Sequence, residues 1–205
     1  GNGEPEYVNS LKLKAESLLG TSYLVLEADG KSYTFDYLIN AGIALDVKAI
    51  STPTFPLIEN SGKNLLKLYL NDVGLLTNIL YRTNIRAVLD DVKSINLGSV
   101  YESVVASELI AHGHKLFYYD NRNKGEVDYL IDDYDSLSAV PIEVKSGKDY
   151  TVHSALKTFV QNEDYHIKKA FVVSNERNVT QNGKITYIPI YYIMFFDADN
   201  DSFLI

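Results

Sequence analysis

The most regular patterning of apolar and polar positions lies in the second half of the chain. From Gly98 to His112 (GSVYESVVASELIAH) apolar residues cover most of a helical circumference and Gly113 supplies a stop, which predicts a buried helix. Three strand patterns follow: LFYYD from Leu116, EVDYLID from Glu126 and SAVPIEVK from Ser138. They are separated by NRNKG and by a polar stretch around Asp133 and Asp135. A helix is predicted over His153 to Glu163, then a strand in KKAFVVSN and a last apolar segment after Asn182-Gly183. Helix, three strands, helix, strand is the order of an α/β fold with a mixed central sheet, an antiparallel trio followed by a helical crossover.

The first half is less uniform. VNSLKLKAESLL predicts a short helix ending at Gly20, and TSYLVLEADGKSYTF predicts a hairpin turning at Asp29-Gly30. Tyr37 to Ile50 reads as a helical turn and a strand closed off by Pro53 and Pro56, and Leu65 to Leu80 as a short strand and a helix, with Asp72 and Gly74 at the junction. The loop ENSGK at 59–63 divides the chain into a small N-terminal α+β portion, 1–62, and a main domain, 63–205. The former is expected to be the end of a winged-helix-like module. No internal repeat or low-complexity tract interrupts the chain, which argues against a solenoid or a long disordered tail.

Composition narrows the possibilities. With 205 residues, 46% of them hydrophobic, the chain can bury a sizeable core. The absence of cysteine removes disulfides, thiolate metal sites and cysteine nucleophiles, and makes the cytoplasm the expected compartment. The longest apolar run, IPIYYIMFF from Ile188, falls short of the ~20 residues of a membrane-spanning helix, so no membrane segment is expected. No basic and apolar leader follows Gly1, and the only methionine is Met194, so the chain is expected to be part of a longer protein. The net charge of -8 argues against binding nucleic acid through a broad basic face. Residues 98 to 174 hold 12 acids against 8 lysines and arginines, and several of those acids are candidate metal ligands whose local sign a divalent cation would reverse.

Alternate residues of a strand share a face, so Glu143 and Lys145 belong together, as do Glu126 and Asp128 on the preceding strand. If the two strands pair, the carboxylates of Asp128 and Glu143, the ammonium of Lys145 and the auxiliary Glu126 form one cluster. Glu102 shares a helical face with Val105, Ala106 and Leu109, where a carboxylate is hard to explain as solvated. Hard cations such as Mg²⁺ or Mn²⁺ take one or two carboxylates with water and substrate phosphate. Phosphodiester hydrolysis is the chemistry such a set suits.

Glu102 on a first helix, Asp128 in EVDYLI and Glu143-Val144-Lys145 in PIEVKSG resemble the core motif of the PD-(D/E)XK nuclease superfamily, with Val127 in place of the motif's proline. More narrowly, KLYLNDVGLL at Lys67 to Leu76, YESVVASEL, GEVDYLI, PIEVKSG and SALKTF at Ser154 to Phe159 are similar to the C-terminal domain of unknown function in a family of prokaryotic AAA-type ATPases, over roughly residues 33 to 190. The resemblance implies a restriction-endonuclease-like core, Asp128 and Glu143 as metal ligands, Lys145 as the catalytic lysine, Glu102 as an auxiliary acid, and DNA as the substrate. It also implies an upstream ATPase module, since no GxxxxGK[ST] loop occurs here. Gln161 and Tyr165 have the QxxxY spacing of the RecB-like branch.

Each residue also admits a plainer role. Glu143 and Lys145 suit a surface charge pair, Asp128 a turn cap, and Glu102 a buried acid paired with a lysine, with Glu108 competing for its place. His112 and His114 fit a helix C-terminus, the tyrosines fit strands and core, and Asp72 fits a helix cap. Two functions therefore lead at this point, a Mg²⁺-dependent nuclease acting on DNA and a catalytically silent nucleic-acid- or protein-binding module appended to an ATPase, with a sensor domain whose hairpin-rich N-terminal part binds a protein partner as a third.

Overall fold

A computed structural model describes residues 36–61, 65–82, 86, 97–146 and 154–198. The helix expected before Gly20 and the Asp29-Gly30 hairpin fall on residues outside these, and of the 1–62 portion expected to end a winged-helix-like module only residues 36–61 are described. Along the described chain run α1 (Asp36–Asn40), β1 (Ala44–Ile50), β2 (Leu66–Leu70), α2 (Val73–Tyr81), α3 (Gly98–Ala111), β3 (Phe117–Asn121), β4 (Gly125–Asp133), β5 (Ser138–Lys145), α4 (Ser154–Gln161), β6 (Ala170–Ser174), β7 (Thr180–Asn182) and β8 (Ile185–Pro189). Short 3-10 turns occupy Leu57–Asn60, Glu163–Tyr165 and Ile190–Phe195.

The strands form one mixed sheet in the order β2-β1-β3-β4-β5-β6-β8-β7, so the chain is an α/β protein. The predicted trio β3, β4 and β5 is antiparallel, and α4 carries the chain across to β6, which lies parallel to β5. The segment after Asn182-Gly183 becomes β8, parallel to β6, and the turn before it closes a hairpin with β7. The division drawn at residue 62 falls between β1 and β2, which pair antiparallel; β1 also pairs in parallel with β3. Asp72 caps α2, accepting the Leu75 N–H at 2.9 Å.

Each face of the sheet is covered by one core. Val105, Ala106 and Leu109 of α3 pack with Val47, Tyr118, Tyr129, Ile131, Ile142 and Val144. Leu156, Phe159 and Val160 of α4 pack on the other face with Tyr119, Val127, Leu130, Val172 and Tyr187. A sheet covered on both sides explains why every residue of β5 from Ser138 to Val144 is buried and only Lys145 is not. Gly125, at φ +87°, lets α4 approach the start of β4: a Cβ there would stand 2.6 Å from that of Ala155. The histidines finish α3, with His112 Nε2 3.6 Å from Glu108 and the ring of His114 donating to the Phe196 carbonyl at 3.2 Å. Among the described residues no helix is long and apolar enough to cross a membrane.

Candidate functional site

The ladder between β4 and β5 runs from Asp133↔Ser138 to Tyr129↔Ile142 and does not continue to Asp128 and Glu143. At the same point the other edge of β4 slips against β3: Phe117 faces Leu130 and Tyr119 faces Val127, so two steps on β3 span three on β4. The extra residue is a bulge. Its effect on alternation is visible in the cores, since Val127 and Leu130, three apart, both belong to the α4 side, and Tyr129 and Ile131 to the α3 side. Simple alternation from Glu126 therefore breaks at Asp128. The Asp128 side chain meets the parted strand instead, its Oδ2 accepting the Val144 N–H at 2.8 Å.

On β5, Ile142 and Val144 pack with α3, so Glu143 and Lys145 alternate to the α4 face, where Glu143 stands beside Val172 of β6. Glu143 is 6% exposed. Its Oε1 accepts from Lys145 Nζ at 2.6 Å, while its Oε2 is buried and, among the described residues, has no hydrogen-bond partner. Such an orphan oxygen is costly unless something outside the chain satisfies it.

From the other side α3 contributes Glu102, held twice. Its Oε2 accepts from the Tyr69 hydroxyl and its backbone carbonyl from the Tyr129 hydroxyl, both at 3.0 Å. Lys67 Nζ pairs with the Glu126 carboxylate and lies 4.8 Å from the centre of the Tyr118 ring. The cluster thus contains four carboxyl groups, Glu102, Glu126, Asp128 and Glu143, against two ammonium groups, Lys67 and Lys145.

That excess of acid sets the electrostatics. Burial pushes the Asp128 carboxyl well above the usual range, and Glu143 and Glu102 push it further against the opposing Val144 N–H and Lys67. Burial also raises Glu143, with Lys145 and the backbone N–H of Asp128 opposing and Glu126 assisting. For Lys67 and Lys145 burial disfavours the charge, but the surrounding carboxylates outweigh it and hold both ammonium groups above their ordinary value. The hydroxyls of Tyr69 and Tyr129 are raised mainly by burial, with Glu102 contributing to both, so they remain donors.

Asp128, Glu143, Lys145 and Glu102 are thus brought together, and Glu126 joins them through Lys67. Gln161 and Tyr165 are not part of this group. Gln161 is exposed at the end of α4, and Tyr165 is buried in the α4-side core. The Tyr165 hydroxyl shares a hydrogen bond with that of Tyr119 and receives one from Lys124 Nζ, each at 3.0 Å. The residues that sequence reasoning missed are Lys67, Tyr69 and Tyr129. In LKLYL the leucines look like the inward face, yet Lys67 and Tyr69 are buried and Leu66, Leu68 and Leu70 only partly so. The period-2 pairing of Lys67 with Tyr69 was the available signal, and it needed Glu126 and Glu102 opposite to be understood.

Among the described residues no three acid, histidine or cysteine side chains are gathered tightly enough to hold a metal ion by themselves. Asp128 and Glu143 supply two carboxylates with one unsatisfied oxygen, a donor set that a hard cation would complete with water or phosphate oxygens. These residues fit such an ion in that limited sense.

No curated protein and no solved structure matches the chain. Residues 97–193, a little under half of it, match the model of a domain of unknown function, DUF4143, a stretch that includes Glu102, Asp128, Glu143 and Lys145 but begins after Lys67 and Tyr69.

Proposed function

We propose that the cluster is a metal-dependent nuclease centre of the PD-(D/E)XK kind, on a restriction-endonuclease-like core, that hydrolyses DNA phosphodiester bonds. The observation that carries this reading is the buried, unpartnered Oε2 of Glu143 beside Asp128. The excess of two carboxylates over ammonium groups matches the charge of one Mg²⁺ or Mn²⁺. When bound, such an ion supplies polarisation of a phosphoryl oxygen and a more acidic water.

Asp128 and Glu143 would hold the ion. Lys145 keeps its proton, so its role is to stabilise negative charge growing on the phosphoryl oxygens rather than to act as a base. Glu102, fixed by Tyr69 and Tyr129, is an auxiliary acid facing the same group, and Lys67 neutralises part of the cluster. The motif order supports placement downstream of an AAA-type ATPase module, and the cysteine-free composition supports a cytoplasmic setting.

The second reading, a catalytically silent binding module, is favoured by the lack of a three-group metal set among the described residues and by the existing Lys145–Glu143 and Lys67–Glu126 pairs. Calorimetric titration with Mg²⁺, together with cleavage assays on single-stranded and duplex DNA, separates the two. The nuclease reading expects Mg²⁺ binding and cleavage that EDTA stops, both lost in Asp128→Asn, with cleavage alone lost in Lys145→Ala. Absence of Mg²⁺ binding and of cleavage by the unaltered protein would leave the silent module.

A further inference from the structure

At the end of the sheet away from the acidic cluster, a cavity of about 760 Å³ opens between the C-terminal half of α4, the approach to β6 and the β7–β8 turn. Its lining includes Lys157 from α4, Lys168 from the approach to β6 and Lys184 from the turn, with Glu163 as the one acid among the described residues that border it. Exposed lysines are ordinarily solvated singly. Here three of them, from three separate elements, border one concavity in a chain whose net charge is -8. Amide side chains of Gln161, Asn162 and Asn182 add neutral donors to the same lining.

Its position relates it to the cluster. The cavity is built from the α4 side of the sheet, the face to which Glu143 and Lys145 alternate. Lys145 stands beside Ser174 at the far end of β6, and Lys168 precedes Ser174 by six residues. At about 3.3 Å per residue the two sites are roughly 15–20 Å apart. Between them lies α4, whose exposed residues Ser154, Lys157, Thr158 and Gln161 form one stripe without an acid.

We propose that the lysine-lined cavity is a second anion site, which holds the phosphodiester backbone of a DNA strand several nucleotides from the acidic cluster. This rests on the nuclease reading for what lies at the other end of the strand, but binding at the cavity is separable from hydrolysis. At an axial rise of about 3.4 Å per nucleotide in a stacked, helical strand, the interval corresponds to about four to six nucleotides. Hydrogen bonds to phosphate oxygens carry no sequence information, so the cavity contributes affinity and register rather than base preference.

The test compares the 205-residue chain with its Lys157→Ala/Lys168→Ala/Lys184→Ala variant. All three lysines are exposed, so the core is untouched, and an unchanged melting temperature checks this. Fluorescence anisotropy with end-labelled single strands of 4 and 20 nucleotides in EDTA should show the variant binding the longer strand about tenfold or more weakly. Its plot of log affinity against log salt should be shallower by about 2, since each phosphate that a lysine no longer neutralises removes about 0.7 from the slope, while the 4-nucleotide strand distinguishes the proteins far less. Equal affinity and equal salt slope for the 20-nucleotide strand overturns the proposal, as does a cavity that takes inorganic pyrophosphate but no oligonucleotide. Cleavage in Mg²⁺ is scored separately. If the unaltered chain does not cleave yet the variant loses binding, the cavity stands and the nuclease reading falls; if both cleave with equal KM and equal affinity, the reverse holds.

Discussion

Strand β4 carries a buried or partly buried aspartate towards each end, and the fold treats the two in opposite ways. Asp133, with its side chain 4% exposed, accepts from Lys169 Nζ at 2.9 Å, from the Ser136 hydroxyl at 2.6 Å and from the Asp135 N–H at 3.3 Å. Burial is the largest single influence on it and acts upward, yet these partners together hold its carboxyl below the usual value. Asp128 has the Val144 N–H and the more distant Lys67 in its favour, and Glu143 and Glu102 against it. Burial has the same sign at both sites, so the supply of donors decides the outcome. One end of the strand is internally complete; the other is left short of positive charge.

The largest expected effect comes from Asp128→Asn. The amide oxygen can still accept the Val144 N–H while the charge is lost, so DNA cleavage in Mg²⁺ should fall by at least about a hundredfold. Urea denaturation in EDTA at neutral pH should show no loss of stability, and a gain if the unneutralised charge is the burden proposed here. Asp133→Asn should do the reverse. Lys169 and Ser136 lose their anionic acceptor, stability should drop by about 1–3 kcal/mol, and cleavage should stay within a few-fold. A cleavage loss at Asp133 as large as that at Asp128 would dissolve the distinction between the two ends.

The pH dependence sharpens the same contrast. Asp128 and Glu143 are raised, so from about pH 4 upward the native state binds more protons than the unfolded chain, and metal-free stability falls as pH rises through their native values. Asp133 is lowered, so its contribution is present above about pH 4 and is lost as pH falls through its native value. Urea midpoints measured in EDTA across this range should therefore decline less steeply towards neutrality in Asp128→Asn, whereas Asp133→Asn should lose the acid-side decline. The smallest effect is expected at Tyr165→Phe, which gives up hydrogen bonds with Tyr119 and Lys124 for a cost of about 0.5–1.5 kcal/mol. Its Mg²⁺ titration should match that of the unaltered protein, because Tyr165 lies outside the acidic group.

Much of this architecture is legible in the residue pattern. The apolar girth of Gly98–Ala111, the three strands after it and the crossover through α4 follow from periodicities of 3.6 and 2, which are local properties. Asp128, Glu143 and Lys145 are noticeable as charges inside otherwise apolar strands. The bulge at Asp128 was not legible, because it depends on β3 and β5 releasing β4 at the same point, a matter of tertiary pairing. The inward turn of Lys67 was hidden for a related reason. Its burial is tolerable only opposite Glu126 and above Tyr118, residues about fifty or more positions away in the chain. Gln161 and Tyr165 share a spacing but not an environment, and the spacing alone gave no means of seeing that.

The parting of β4 from β5 also provides a reporter. The Val144 amide donates to the Asp128 carboxylate at 2.8 Å, so its proton senses the charge on that one oxygen directly. In a ¹⁵N-resolved NMR spectrum this single resonance should move when Asp128 gains a proton or an ion, whereas the amide of Asp135, bonded to Asp133, should stay still during the same Mg²⁺ titration. Occupancy of the cluster can thus be followed at one nucleus, without a substrate and without turnover.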